Sequence, residues 1–142
     1  MKIENRKARY DYTILEKYTA GIVLTGTEIK SIRRGNASLV DTFCQITNNE
    51  VWMYNSYIEK FEYGSYNNHD ERRPRKLLLS RNEINKIHKT VQQKGFTIIP
   101  LSMYINSKGL CKLDIAICTG KKEYDKRETI KQRDIERELQ RL

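Results

Sequence analysis

Two stretches of this sequence interleave cations with groups that stack or pack, and both suit a polyanion. Asn5-Arg6-Lys7-Ala8-Arg9-Tyr10-Asp11-Tyr12 holds three cations and two aromatic rings, and Arg72-Arg73-Pro74-Arg75-Lys76 is a cationic run leading into Leu77-Leu78-Leu79. Arg presents a planar fork to phosphate oxygens and Lys a point charge. A nucleobase stacked on tyrosine contributes about 1–3 kcal/mol. The segment from Glu28 to Arg34 adds a short helix that carries Lys30, Ser31, Arg33 and Arg34. Sugar–phosphate recognition is therefore the chemistry these residues support best.

Catalytic chemistry has weaker support. There is no Gly-x-Ser-x-Gly, no phosphate-binding glycine loop and no His-x-x-x-His pair, and Asp41, Asp70 and Asp114 are isolated in sequence. A metal-dependent nuclease that gathers acids from distant strands stays open as the alternative. No zinc site is expected, because Cys44, Cys111 and Cys118 form no Cys-x-x-Cys and neither His69 nor His88 lies at ligand spacing from them. The three cysteines are expected to be buried reduced thiols. His69, between Asn68 and Asp70, is expected to fix a polar loop or meet a partner, and His88 to pack beside a helix. No cofactor and no small-molecule substrate is implied.

The charge distribution agrees with the motifs. The net charge is +9 and the isoelectric point about 9.5. Residues 1–35 carry 8 Lys/Arg against 4 Asp/Glu, residues 70–95 carry 8 against 3, and residues 36–69 carry 1 against 4. A field of one sign draws in polyanions and speeds their capture. Charge alone does not separate RNA from DNA, since phosphate contacts carry no sequence information. No zinc finger, zipper or clear helix-turn-helix supports reading of the DNA major groove. No apolar run approaches the roughly 20 residues a bilayer requires, and the first residues lack a signal-peptide pattern, so a cytoplasmic protein without membrane contact is expected.

The elements that must position these groups follow from local patterns. Arg9 to Leu24, rich in Tyr, Thr, Ile and Val, reads as a strand. Thr25-Gly26-Thr27-Glu28 matches a capping box opening a short helix that Gly35 stops. Strands are expected over Leu39 to Ile46 and Val51 to Ile58 around the turn Thr47-Asn48-Asn49-Glu50, followed by an exposed loop from Tyr63 to Pro74. Ser80-Arg81-Asn82-Glu83 opens a second helix carrying Ile84, Ile87 and Val91 and ending at Gly95. Ile99, Leu101, Met103 and Ile105 alternate into the turn Asn106-Ser107-Lys108-Gly109, and Cys111, Leu113, Ile115 and Ile117 alternate back. The pattern predicts a mainly β (α+β) fold, a single OB-like antiparallel β-barrel with attached helices over residues 1–119. Residues 120–142 form a C-terminal tail with 8 Lys/Arg against 6 Asp/Glu. Its composition is helix-competent but marginal alone, so it is expected to be disordered when free and helical on a partner.

Four segments, in order along nearly the whole chain, resemble the small protein B family of SsrA-binding proteins: Asn5 to Tyr12, Gly26 to Arg33, Asn68-His69-Asp70 leading to Arg75-Lys76-Leu77-Leu78-Leu79, and Gly120-Lys121-Lys122-Glu123-Tyr124-Asp125-Lys126-Arg127. Ser38 and Phe43 stand where that family often has Asn and Tyr, and Pro74 lies later than the Pro that commonly follows the Asn-His-Asp triplet. The resemblance implies an adaptor that binds the tRNA-like domain of transfer-messenger RNA and delivers it to the vacant A site of stalled ribosomes. It places Asn5, Glu28, Lys30 and Leu79 on the RNA-binding surface, with Arg6, Lys7, Arg9, Ser31, Arg33, Arg75 and Lys76 as neighbouring candidates in the same segments. It places Gly120, Lys121, Lys122, Tyr124, Asp125, Lys126 and Arg127 where the tail meets the ribosome, near the decoding region and mRNA channel. It implies no catalytic step. A purely structural ribosomal protein is the remaining alternative.

Overall fold

The structure, a computed structural model, describes residues 2–64, 68–93 and 95–120. Along the chain these form β1 (Lys2–Glu4), α1 (Arg6–Asp11), β2 (Tyr12–Ile22), α2 (Gly26–Arg33), β3 (Ala37–Ser38), β4 (Phe43–Thr47), β5 (Glu50–Tyr54), β6 (Tyr57–Ile58), β7 (Arg75–Leu78), α3 (Arg81–Val91), β8 (Thr97–Ile105) and β9 (Cys111–Gly120). The main sheet is antiparallel in the order β1-β8-β4-β5-β7-β2-β9. Because β8 also pairs with β9, the six strands beyond β1 close on themselves, the OB-like arrangement that the strand pattern predicts. β3 and β6 make a separate short pair. Val51, Met53, Leu77, Met103, Leu113 and Ile115 fill the interior without exposed surface.

Both predicted capping boxes are present. Thr25 accepts from the Glu28 N–H while Glu28 accepts from the Thr25 N–H, and Ser80 and Glu83 do the same for α3. Ile84 and Ile87 of α3 point into the core, whereas His88 is exposed, contrary to the packing role expected for it. The β4–β5 turn holds Asn48 and Asn49 at φ 52° and 62°, the left-handed pair that a two-residue hairpin requires and that Asn tolerates.

Four differences from the sequence reading have local causes. Residues 9–11, expected to begin the first strand, belong instead to a helix over residues 6–11 that the Asn5 side chain caps. The segment 39–42 is a turn, closed by the Thr42 N–H donating to the Leu39 carbonyl, so β4 begins only at Phe43. The simple alternation expected in β8 fails: residues 98–103 are all buried, with a register shift between Pro100 and Ser102. The outward-facing Ile99 is covered by α1, where it packs with Ala8, Cys118 and Tyr12. Lastly, β7 was not apparent in the sequence, since its inward residues are Arg75 and Leu77.

All three thiols are free and buried. Burial pushes Cys111 up to about 11, Cys118 up to about 12 and Cys44 well above its ordinary value. Thiolate is the reactive form, so the folded protein should resist alkylation near pH 8 and take up iodoacetamide only on unfolding, as read by intact-mass spectrometry.

Candidate nucleic-acid interface

The first candidate segment becomes a small basic helix on a polar anchor. Asn5 is 5% exposed; its Oδ1 accepts from the Ala8 N–H at 3.2 Å, and its Nδ2 donates to the carbonyls of Leu39 at 3.1 Å and Pro100 at 3.0 Å. Every polar atom of the side chain is thereby engaged. Ala8 turns inward, leaving Arg6, Lys7, Arg9 and Tyr10 exposed. Helix α1 thus presents three cations and a ring, and Asn5 fixes where they point.

The second segment has the same logic. In α2, Glu28, Ser31 and Ile32 face inward while Lys30, Arg33 and Arg34 are exposed. The Ser31 hydroxyl donates to the Glu59 carbonyl at 2.6 Å. Glu28 is fully buried between two guanidinium groups: Oε2 receives Arg75 through Nε and Nη2 at 2.6 Å, and Oε1 receives Arg73 Nη2 and the Thr25 N–H. Burial alone would raise the Glu28 pKa. Hydrogen bonds from Arg73 and Thr25 and the Arg75 charge outweigh it and hold the carboxyl below its usual range.

Arg75 is buried as completely, and its remaining donors reach the Ser56 carbonyl and hydroxyl and the Asp70 and Glu71 carbonyls. One ion pair therefore ties α2, β7 and the loops on either side of β6 together. His69 adds a second tie. Its Nε2 donates to the Ile58 carbonyl at 2.9 Å, and its Nδ1 is hydrogen-bonded to the Thr27 hydroxyl at 2.8 Å. Asn68 completes the loop by exchanging hydrogen bonds with the Phe61 N–H and carbonyl.

Of the candidates read from the sequence, Asn5, Glu28, Ser31 and Arg75 are interior residues with in-chain partners. In the chain on its own their side chains are desolvated and hydrogen-bonded within the fold instead of being displayed at the surface. Arg6, Lys7, Arg9, Lys30 and Arg33 are exposed, and among the described residues none of them is in an ion pair. Lys76 is half-buried on β7, and Leu79 packs partly against the core. Gly120 is the last residue of β9, paired with Tyr12, so the strand runs one residue into the expected tail. Lys121, Lys122, Tyr124, Asp125, Lys126 and Arg127, and the expected behaviour of the tail, lie outside the described residues.

The fold also assembles a group the sequence reading missed. Arg34 stacks over Phe61 at 4.9 Å and Tyr63 at 5.2 Å, and Lys30 lies 5.4 Å from the Phe61 ring. Tyr63 is 73% exposed, an open aromatic face edged by cations. The four-residue spacing of Lys30 and Arg34 was a readable signal for one side of it; the Phe61-x-Tyr63 side depends on loop geometry. Helices α1 and α2 also adjoin one segment, since Asn5 holds Leu39 and the Asn36 N–H donates to the Ser31 carbonyl.

A closed antiparallel β-domain with cations on two short helices that make no ion pair among the described residues, next to stacked and exposed aromatic rings, defines a small protein built to meet a polyanion. No three His, Cys, Asp or Glu side chains come together to hold a metal among the described residues. The chain belongs to the SmpB protein family, whose model matches residues 2–142. The SsrA-binding protein of Parabacteroides distasonis is 56% identical over 141 residues, covering 99% of this chain and 92% of the relative. That of Bacteroides thetaiotaomicron is 54% identical over 142 residues, covering 100% and 95%. A solved structure described as "tmRNA-SmpB: a journey to the center of the bacterial ribosome" is similar with a TM-score of 0.72 and 45% identity over 84% of each chain.

Proposed function

We propose that this protein is an RNA-binding adaptor of trans-translation: it binds the tRNA-like domain of transfer-messenger RNA and brings it to the vacant A site of stalled ribosomes. The observation that carries the reading is the set of unpaired cations on α1 and α2 beside the Arg34, Phe61 and Tyr63 stack, in a chain whose relatives are SsrA-binding proteins. Arg6, Lys7, Arg9, Lys30 and Arg33 neutralise phosphates, Lys76 extends the charge, and Tyr63 offers a stacking face. Asn5, Glu28, Ser31 and Arg75 hold these groups in place. Recognition by shape and by unpaired bases suits a folded RNA better than a regular duplex. The role makes and breaks no bond, requires no cofactor and belongs in the cytoplasm. Within it, residues 1–119 grip the RNA, and the tail from Gly120 engages the ribosome through Lys121, Lys122, Tyr124, Asp125, Lys126 and Arg127.

Sequencing the RNA that co-purifies with the tagged full chain tests the identity of the partner, and transfer-messenger RNA should be enriched in actively translating cells. A salt series tests the mode of binding. If 6 to 10 phosphates are contacted, affinity should fall about 10³- to 10⁵-fold between roughly 50 and 200 mM salt. Salt-insensitive binding would remove the electrostatic basis of the proposal.

A further inference from the structure

Between α1 and the loop that precedes β7 lies a carboxylate that makes no contact with a donor among the described residues. Asp41 sits at the crest of the 39–42 turn and lines two open grooves, one shared with Lys7, Thr42 and Phe43, the other with Ser38, Val40, Asn55, Tyr57 and Arg72. Its backbone is in the left-handed region at φ 57°, as is that of Asn55 at φ 66°. The two are locked together: Asn55 Nδ2 donates to the Asp41 carbonyl at 3.0 Å, and Arg72 Nη1 donates to the Asn55 carbonyl and Oδ1. The Asp41 carboxylate itself has no hydrogen bond or ion pair among the described residues. A turn this firmly held presents a carboxylate with no partner among the described residues, beside Lys7 and Asp11 in one groove and beside Arg72 and Tyr57, on which Glu71 also acts, in the other.

The groove around it has the parts of a base-binding site. Arg72 lies over the Tyr57 ring at 5.3 Å, giving a planar cationic surface of the kind on which unpaired bases stack. Arg72 Nη2 and Nε make no hydrogen bond among the described residues and remain available as donors. Ser38 Oγ accepts from the Val40 N–H, which leaves its O–H free to donate. Val40, 53% exposed, supplies an apolar wall.

A phosphate would be repelled by Asp41, so the groove selects a base edge with donors. Uracil presents one N–H between two carbonyls, and adenine and cytosine each place a ring acceptor beside their amine. Guanine alone offers two adjacent donors, N1–H and the 2-amino group, to a carboxylate, with O6 left for Arg72 or Ser38. We infer that the groove of Ser38, Val40, Asp41, Tyr57 and Arg72 binds an unpaired guanine of the RNA partner, Asp41 reading its Watson–Crick edge. The inference rests on the RNA-binding reading proposed above and adds a specific base contact to it.

The test titrates the isotope-labelled full chain with short uridine oligonucleotides carrying a single guanosine, inosine or adenosine, followed by amide NMR. Guanosine should shift Ser38, Asp41, Tyr57 and Arg72 and bind roughly 5- to 100-fold more tightly than inosine, which lacks the 2-amino group. Asp41→Asn keeps a residue that tolerates a positive φ, so its melting temperature should be unchanged while the preference for guanosine over inosine is lost. Equal shifts with all three oligonucleotides, shifts located elsewhere, or a preference that survives in Asp41→Asn would overturn the site. If structured RNA still binds with its full salt dependence in those cases, the site alone falls. If neither oligonucleotides nor structured RNA bind, the adaptor reading falls with it.

Discussion

Glu28→Gln should cost about 3–5 kcal/mol of stability, because it leaves the fully buried Arg75 charge without its counter-ion. Domains of this size hold roughly 5–15 kcal/mol in total. The melting temperature should accordingly fall by about 10 °C or more. Differential scanning calorimetry on the full chain reads this directly. A side chain that only touched RNA would instead lower RNA affinity and leave the melting point unchanged. Replacing the pair together, as Glu28→Leu with Arg75→Met, should recover part of the loss, since it removes both buried charges. Recovery stays incomplete because the Ser56 carbonyl loses the Arg75 donor, the Asp70 and Glu71 carbonyls keep only the N–H groups of Arg73 and Ile58, and Arg73 loses its carboxylate.

The same ion pair contributes to the acid sensitivity of the fold. The Glu28 pKa is lower in the folded chain than in the unfolded one, where a glutamate titrates near about 4.3. Its contribution is therefore complete above the unfolded value and is lost as pH falls through the folded value. In Glu28→Gln that acid-labile component should be missing, so the variant's stability should vary less with pH below about 4 than that of the parent chain.

This pair also marks the limit of what the sequence could reveal. The capping boxes at Thr25 and Ser80 were legible because all of their atoms lie within four residues, and the β8–β9 hairpin because its turn at Asn106 to Gly109 and the alternation of Cys111, Leu113 and Ile115 are local patterns, although burial in β8 is continuous over 98–103. Strand β7 was hidden because its inward position 75 is an arginine. An inward charge reads as solvated unless its partner is known, and Glu28 lies 47 residues away. Helix α1 was hidden for a related reason: with Ala8 as its one buried residue, it shows no apolar stripe, and its anchor is Asn5 reaching the Leu39 and Pro100 carbonyls. Composition identified Arg6, Lys7, Arg9, Lys30 and Arg33 correctly as surface groups, but not Arg75. It could not tell that a neighbouring Glu, Ser, Asn or Arg was there to aim them, because that depends on contacts between segments 28 to 95 residues apart.

The anchor at Asn5 can be tested in a way that separates aiming from contact. Asn5→Ala removes the cap of α1, at about 1 kcal/mol, and takes two donors from interior carbonyls, at about 1–3 kcal/mol each when nothing replaces them. The Leu39 carbonyl retains the Thr42 N–H, which limits the sum, so a loss of about 2–4 kcal/mol is expected. Asn5→Asp keeps the acceptor for the Ala8 N–H but sets a carboxylate against the carbonyls of Leu39 and Pro100, and should be the more damaging change although it is the better cap. A residue that mattered only as a helix cap would give the opposite order. Both variants loosen the helix that carries Arg6, Lys7 and Arg9. At a temperature where the domain is still folded, each phosphate that this helix no longer neutralises should flatten the salt slope of RNA binding by about 0.7 to 0.9. A weakened affinity with an unchanged slope would mean that α1 neutralises no phosphate, leaving α2 and its aromatic neighbours as the gripping surface.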